Sequence, residues 1–522
     1  MKKIFTLMFA AAMTMAASAT DYTGKLSVLL GGEPMDAGET TISIDQNADG
    51  TNTLTLKNFS FAGMPVGTIT LDGVASDACG TITYMGGQQR ITIAKGDDAS
   101  VEDWMGPSLG ELPVLFMGKT AKEKLDAVIL IDLNASGLGV IKVQFGEHPE
   151  EVGQIPNSGF ERFHTATYGS KSSQEPDAWH SFMSCTGTLA STVAGTTHTY
   201  VSDDVRPGTT GTNSVKIVSS VVMGFISANG TLTTGQLSAG SASASNTKNN
   251  AFLNVDNTAT DAAGDPFYSA MPCYPDSISA WVKFHKGGSK TYYATMSAVI
   301  TDGSYYQDPE DKTYTNVVAK ANNSSIAATD EWQRVVVPFD YATYENYGAG
   351  SKAILVTLST CSTPAGGSTS SSNLDALYVD DVQLVYNSAL SSLSYNGKEI
   401  SGFAPDTYAY TLEGDGAFDP ELIDASCDAE GDAGSIVTAT EEENAHTTVY
   451  VTNYAGDLQS WTTYVIDYTN RTAAGIDDAK VSANKTAVGF YDLSGRRVAN
   501  TSANGVYVVR TADGKAYKMI KK

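Results

Sequence analysis

Basic residues are scarce in this 522-residue chain: 33 lysines and arginines stand against 58 aspartates and glutamates, a formal charge of −25. That deficit argues against nucleic acid or an anionic membrane as partner, because a surface without basic patches gains nothing from counterion release. Cysteine is rarer still. Cys79, Cys185, Cys273, Cys361 and Cys427 are scattered singly, which is no disulfide framework. A bridge among Cys185, Cys273 and Cys361 is open, but the odd count leaves at least one thiol unpaired, and buried free thiols are the expected state. Apolar runs long enough to cross a bilayer as a helix are missing, and so is any long 3.6-residue periodicity. Thr120 to Ala127 alone looks helical, for about two turns.

Short alternating stretches of Val, Ile, Thr and Tyr are present almost everywhere, set between clusters of Gly, Asn, Asp and Ser. The pattern predicts an all-β protein, and the length predicts three or four domains. At the front, Lys2 and Lys3 precede an apolar run from Ile4 to Ala17 and the small-x-small triplet Ala17-Ser18-Ala19. This reads as a signal peptide over 1–19, so the mature protein is expected to be secreted or held at the cell surface. Its removal takes two lysines and no acid, leaving 31 basic and 58 acidic groups. Acidity of this kind mainly serves solubility and makes calcium plausible company.

Residues 20–146 contain eight strand candidates: KLSVLL, TTISID, NTLTLKNFSF, GTITLDGV, QRITIA, PVLFMG, AVILIDL and GVIKVQF. Eight antiparallel strands can close a barrel whose interior side chains fill or which holds one small ligand, and a filled interior is favoured. The segment resembles the calycin-like β-barrel domains of exported Bacteroides-type proteins. Asp45, Asn47, Asp49 and Gly50 spell the opening of a calcium loop, but the twelfth position is Leu56 instead of a bidentate Glu; a D-G hairpin turn is expected.

Beyond a polar linker near 147–156 lies the largest unit, 157–387. It opens with NSGFERF (157–163), carries SISAWVKFHKG (277–287) and DEWQRVVVPF (330–339), and closes with LYVDDVQLVY (377–386). This set resembles the jelly-roll carbohydrate-binding modules and the carbohydrate-metabolism domain of Bacteroides-type proteins. The resemblance implies a glycan or polysaccharide as partner, in a setting of polysaccharide utilisation. It also implies a structural calcium held by Glu161 with Asp380 or Asp381, the alternative being a hydrogen-bonded surface Asp pair. Strict alternation along the closing strand would put Val379, Asp381 and Gln383 on one face and Tyr378, Asp380, Val382 and Leu384 on the other. The Gly/Ser/Thr/Asn-rich stretches at 227–250 and 363–373 read as long surface loops.

Sugars are gripped by flat aromatic faces edged with carboxylates and amides. Aromatics in polar, loop-like settings are therefore the candidates: Trp179 and His180 in EPDAWHSF, Tyr305 and Tyr306 in TDGSYYQDPED, and Tyr341, Tyr344 and Tyr347 in DYATYENYG. The second group is preferred because Asp302, Gln307, Asp308 and Glu310 accompany its two rings. Trp281 and Trp332, flanked by apolar neighbours in strands, are expected in the core. No catalytic string is present, and the six histidines show no metal-ligand spacing. A glycoside hydrolase using loop carboxylates such as Glu175, Asp177, Asp308 and Glu310 is the first alternative to glycan binding. A non-catalytic adhesin or structural protein is the second.

Residues 388–469 begin with LSSLSYNGKEISGFAPDTYAYTLE and end in WTTYVIDY, and resemble cadherin-like or immunoglobulin-like sandwich domains that act as spacers. In residues 476–522, YDLSGRRV, GVYVV and a D-G-K hairpin resemble the C-terminal sorting module of the type IX secretion route. That resemblance implies delivery to the surface and attachment in an assembly there.

Overall fold

A computed structural model describes residues 19–471, apart from 31–32, 62, 195, 197, 223 and 442–444, together with 487–491, 497–498, 505–511 and 516–521. The leader expected at 1–19 lies, but for Ala19, outside them. The described protein is nearly all β. It divides into two compact units, Met1–Ser391 with Ser426–Ile436 and Thr452–Thr462, and Ser392–Ala425 with Val437–Val451 and Thr463–Lys522.

The first unit begins with eight strands: β1 (Ala19–Leu30), β2 (Glu33–Gln46), β3 (Asn52–Phe61), β4 (Met64–Cys79), β5 (Ile82–Thr92), β6 (Glu111–Ala121), β7 (Lys124–Leu133) and β8 (Gly139–Phe145). They pair antiparallel in chain order, and β1 meets β8 from Leu26↔Phe145 to Leu29↔Lys142, so the sheet closes into a barrel. Alternation explains the closure: Leu26, Val28, Ile42, Leu56, Ile69, Val114, Phe116, Ile129 and Val143 pack as one interior cluster. β6 and β7 are apolar on their outer face as well. Leu115, Met117, Val128 and Leu130 join a second cluster shared with the following domain, which is why these two strands read as unbroken hydrophobic runs.

The helix expected over Thr120–Ala127 does not form. Lys122 and Glu123 both take positive φ, at 49° and 61°, and turn β6 directly into β7. Two consecutive left-handed residues suit the right-handed twist of a tight hairpin, and strand pairing overrides the helical preference of Ala, Lys, Glu and Leu. The Asp49–Gly50 segment is a turn, with Gly50 at φ 85° and Asp49 Oδ1 accepting from the Thr51 amide. The polar linker expected near 147–156 is instead a seam: Val152 and Ile155 are buried, and Gln154 exchanges hydrogen bonds with the backbone of Leu384. Its charged residues had hidden two apolar anchors.

The larger domain is a sandwich. One sheet runs in the order Thr199–Ser202, Ser214–Val218, Ala376–Val385, Ser277–His285, Thr329–Pro338. The other runs Thr231–Thr233, Ala353–Ser359, Ala294–Thr301, Val317–Ile326, with Ser269–Ala270 beside 353–359. Ile217, Ile278, Val282, Phe284, Leu377 and Val379 from the first share one core with Leu232, Met296, Ile300, Ala319, Ile354 and Val356 from the second. The 227–250 stretch, expected as surface loop, contributes the strands Thr231–Thr233 and Gln236–Ala239, where Leu232, Thr233 and Leu237 are buried. Small and β-branched residues there fit a crowded sheet as well as they fit a loop. The opening NSGF is a turn: Asn157 and Phe160 have positive φ, and the first strand starts only at Phe163.

Strict alternation also fails in the closing strand. Asp381 has φ 44°, and the partners of Ser279 and Trp281 shift from Gln383 to Asp380 across a bulge. One residue is inserted, so Leu377 and Val379 face inward before the bulge, and Val382 and Leu384 face inward after it. The five thiols are all free, and burial pushes those of Cys79 and Cys185 up to about 12.

In the second unit Ala409–Gly414 pairs in parallel with the C-terminal part of Trp461–Asn470, Tyr410 opposite Ile466. The tail forms an antiparallel sheet in the order Arg497–Val498, Ala487–Tyr491, Gly505–Thr511, Ala516–Lys521. Among the described residues no helix is long and apolar enough to cross a membrane.

Candidate functional site

The loop expected to present two rings presents one. Tyr305 is 42% exposed and stacks on Phe252 at 5.9 Å, whereas Tyr306 is 1% exposed and packs edge-on against Tyr314 at 5.1 Å. Residues Tyr306–Asp308 form a strand beside Asn249–Leu253, and strand alternation sends adjacent rings to opposite sides. Gln307 is buried, its amide donating to the Thr247 and Pro309 carbonyls. Asp302 accepts from the Ser304 amide; Glu310 pairs with Lys320 at 2.6 Å. Asp308 meets Ser297 Oγ, and burial holds its carboxyl above the usual range. This loop is therefore built into the fold with most of its polar groups already engaged.

Trp179 and His180 are also interior. Trp179 is wholly buried, packed on Phe160 at 5.2 Å and donating to the Pro156 carbonyl, and His180 is wholly buried beside Phe267. Neither offers a face to a ligand in water. Tyr341 is buried with its hydroxyl on Pro275, leaving Tyr347 as the exposed ring of its group.

The rings that face solvent together lie where they were not expected, on the outer face of the five-stranded sheet. Tyr200 is opposite Lys216, Lys216 is opposite Tyr378, and Tyr378 is opposite Lys283. Cross-strand partners project to the same side, so these residues form one row across four strands. Trp332 extends it onto the fifth, with Lys283 Nζ 5.7 Å from its ring. Lys283 Nζ is 4.6 Å and Lys216 Nζ 5.1 Å from the Tyr378 ring, so cations and rings alternate. Tyr200 is 44% exposed, and Trp281 and Trp332 are half-buried, not core. They alternate with Val282 and Val335 or Val337, which explains why apolar neighbours misled the expectation.

One acid holds the row in place. Asp204 accepts from Trp332 Nε1 at 3.0 Å and pairs with Lys283. Next to the row, Lys216, Val218, His285, Asn373, Leu374 and Tyr378 line a cleft of about 300 Å3. Here the 363–373 stretch does act as a loop, and Asn373 is oriented by His285 Nε2 at 3.2 Å and the Gly287 carbonyl at 2.8 Å.

The calcium ligands expected at Glu161, Asp380 and Asp381 do not converge among the described residues. Glu161 takes the amides and side chains of Thr212 and Asn213, and Asp381 takes Arg206 Nε at 2.5 Å. Asp380 accepts from the Arg206 amide, and burial raises its carboxyl to about 6. Arg206 thus supplies a counter-charge to the Asp pair.

Comparison with known proteins bears on the front of the chain first. Residues 19–147 match the calycin-like beta-barrel domain family. The calycin-like barrel is thus a recognised domain, and its match ends where the buried seam begins. No curated protein sequence matches the chain significantly. Among solved structures, a proposed glycoside hydrolase from Bacteroides vulgatus is similar at 18% identity over 44% of this chain and 96% of that one, with a TM-score of 0.30. Another from Bacteroides thetaiotaomicron is 17% identical over 53% and 87%, also at 0.30. A carbohydrate-binding module of the β-sandwich superfamily is 8% identical over 70% and 96%, at 0.20. Likeness this slight leaves the chemistry to be read from the side chains themselves.

Proposed function

We propose that this is an exported glycan-binding protein whose central sandwich holds a saccharide against the outer face of its five-stranded sheet. The observation that carries the reading is the row Tyr200, Lys216, Tyr378, Lys283 and Trp332 running into the cleft at His285 and Asn373. Rings offer flat apolar plates to the C–H faces of sugar rings, while the lysines, Asn373, His285 and Asp204 offer hydrogen bonds to hydroxyls. Cross-strand packing fixes the spacing before a ligand arrives, so little side-chain freedom is lost on binding. The calycin-like barrel and the second unit serve as presentation, and the tail that resembles sorting modules serves delivery to the cell surface.

A glycan array with the full mature chain tests the reading. Positive glycans are expected, with signal reduced by Trp332→Ala or Tyr378→Ala and retained by Tyr305→Ala. An array that is blank for the intact protein, or losses confined to Tyr305→Ala, would overturn it.

A further inference from the structure

Away from that face, the first hairpin of the sandwich (Phe163–Tyr168 with Lys171–Pro176), the bridge at His180 and the 254–267 loop meet at a buried polar centre. His180 Nδ1 lies 2.7 Å from the Gly235 carbonyl oxygen, and His164 Nδ1 lies 3.1 Å from Asp177 Oδ1. A carbonyl or a carboxylate can only accept, so each ring carries its hydrogen on Nδ1, and in the neutral imidazole Nε2 is then a bare lone pair. Both nitrogens have the same oxygen as a near neighbour. His180 Nε2 is 3.4 Å and His164 Nε2 3.6 Å from Asp261 Oδ2.

Asp261 cannot turn away. Its Oδ1 accepts from the amides of Ala263 and Asp265 at 2.9 and 2.8 Å, which locks the carboxylate and directs Oδ2 at the two rings. Glu175 Oε2 lies 3.8 Å from His164 Nε2, and Glu175 is wholly buried. His164 Nε2, His180 Nε2 and Asp261 Oδ2 are all buried and none has a hydrogen-bond partner. Asp261 Oδ2 thus stands between two imidazole lone pairs with no donor, in an interior where unpaired polar atoms are costly, an arrangement that a cation would satisfy.

We propose that His164, His180 and Asp261, with Glu175 beside them, bind a divalent first-row transition ion of the zinc class. Two imidazoles with carboxylate favour such an ion over calcium or magnesium, which prefer all-oxygen shells. Ligands about 2.0–2.1 Å from a tetrahedral ion stand about 3.4 Å apart, close to the two separations on Asp261. The Nδ1 partners, a carbonyl and a carboxylate, are the outer-shell groups that fix ring orientation around a bound metal. His148, Glu150 and Glu151 cluster more tightly, but Arg162 and Lys119 already neutralise that group. The His180 centre is more open: its two imidazole nitrogens are not within 4.8 Å of each other, whereas two ligands of one such ion stand no more than about 4.1 Å apart, so binding requires the two rings to move inward. Because the ligands are buried and all from the protein, the ion is structural and staples three segments together.

The test uses the full mature chain, stripped with a strong chelator and then dialysed against zinc or cobalt ions near neutral pH. Elemental analysis should find about one ion per chain, and saturating zinc should raise Tm by about 5 °C or more. Cobalt should give the visible absorption of a four-coordinate site. His180→Ala and Asp261→Asn should each abolish the bound equivalent; if either fails to fold, the cobalt spectrum and zinc titration of the unaltered chain still decide. Absence of a stoichiometric ion, or Asp261→Asn retaining the full equivalent, would overturn the proposal.

Discussion

The 302–310 loop and the outer face of the five-stranded sheet exchange the roles that their local sequences suggest. The loop is polar and acidic, yet Tyr306 and Gln307 are buried anchors, and of its two rings Tyr305 alone faces water. The sheet strands are rich in Val, Phe and Trp, yet every second residue points outward and gathers Tyr200, Tyr378 and Trp332 into one row with two lysines. Polarity of neighbours thus says less about exposure than the parity of a strand position does.

Stability measurements should break this comparison if it is wrong, and the largest effect belongs to the loop. Tyr306→Ala should cost about 3–5 kcal/mol in urea denaturation, as expected for removing a fully buried ring. Trp332→Ala, half-buried on the sheet face, should cost far less, and a reversed order would return the loop to the surface. Next comes Asp380, paired across the strands with Trp281. Its folded-state value of about 6 exceeds the ordinary carboxylate value, so its contribution is fully present below about pH 4 and is lost as pH rises through about 6. Asp380→Asn should therefore stabilise the protein by about 1–3 kcal/mol at pH 8 and by little at pH 4, measured by thermal melts across that range. Tyr378→Ala sharpens the comparison on the binding side: a weakening of roughly fivefold or more, about 1 kcal/mol, is expected by calorimetry against any array-positive glycan. The smallest effect is Tyr305→Ala, which should leave glycan affinity unchanged and stability within about 0.5 kcal/mol.

Period-two alternation made the strands of the calycin-like barrel legible, while those at Ser277–His285, Thr329–Pro338 and Ala376–Val385 were found through motifs that resemble jelly-roll modules. What stayed hidden depends on contacts remote in sequence. Lys122 and Glu123 look helical until β6 and β7 pair around them. The bulge at Asp381 changes which later residues face inward, and no composition rule marks it. His164, His180 and Asp261 have no ligand spacing along the chain; the fold alone brings them together. A signal for the sheet face did exist: Trp-Val-Lys-Phe at 281–284 alternates, and its odd members could have been assigned outward with Lys283.

The seam at 147–156 has a mechanical consequence. Val152 and Ile155 are buried, Gln154 is bonded to the closing strand, and Met117 of the barrel lies against Cys273 of the sandwich. A protease or an engineer who cuts there would free two halves with bare greasy flanks, prone to clump. Left whole, the barrel is a handle fused to the sandwich, so a tug on one is felt by the other without slack.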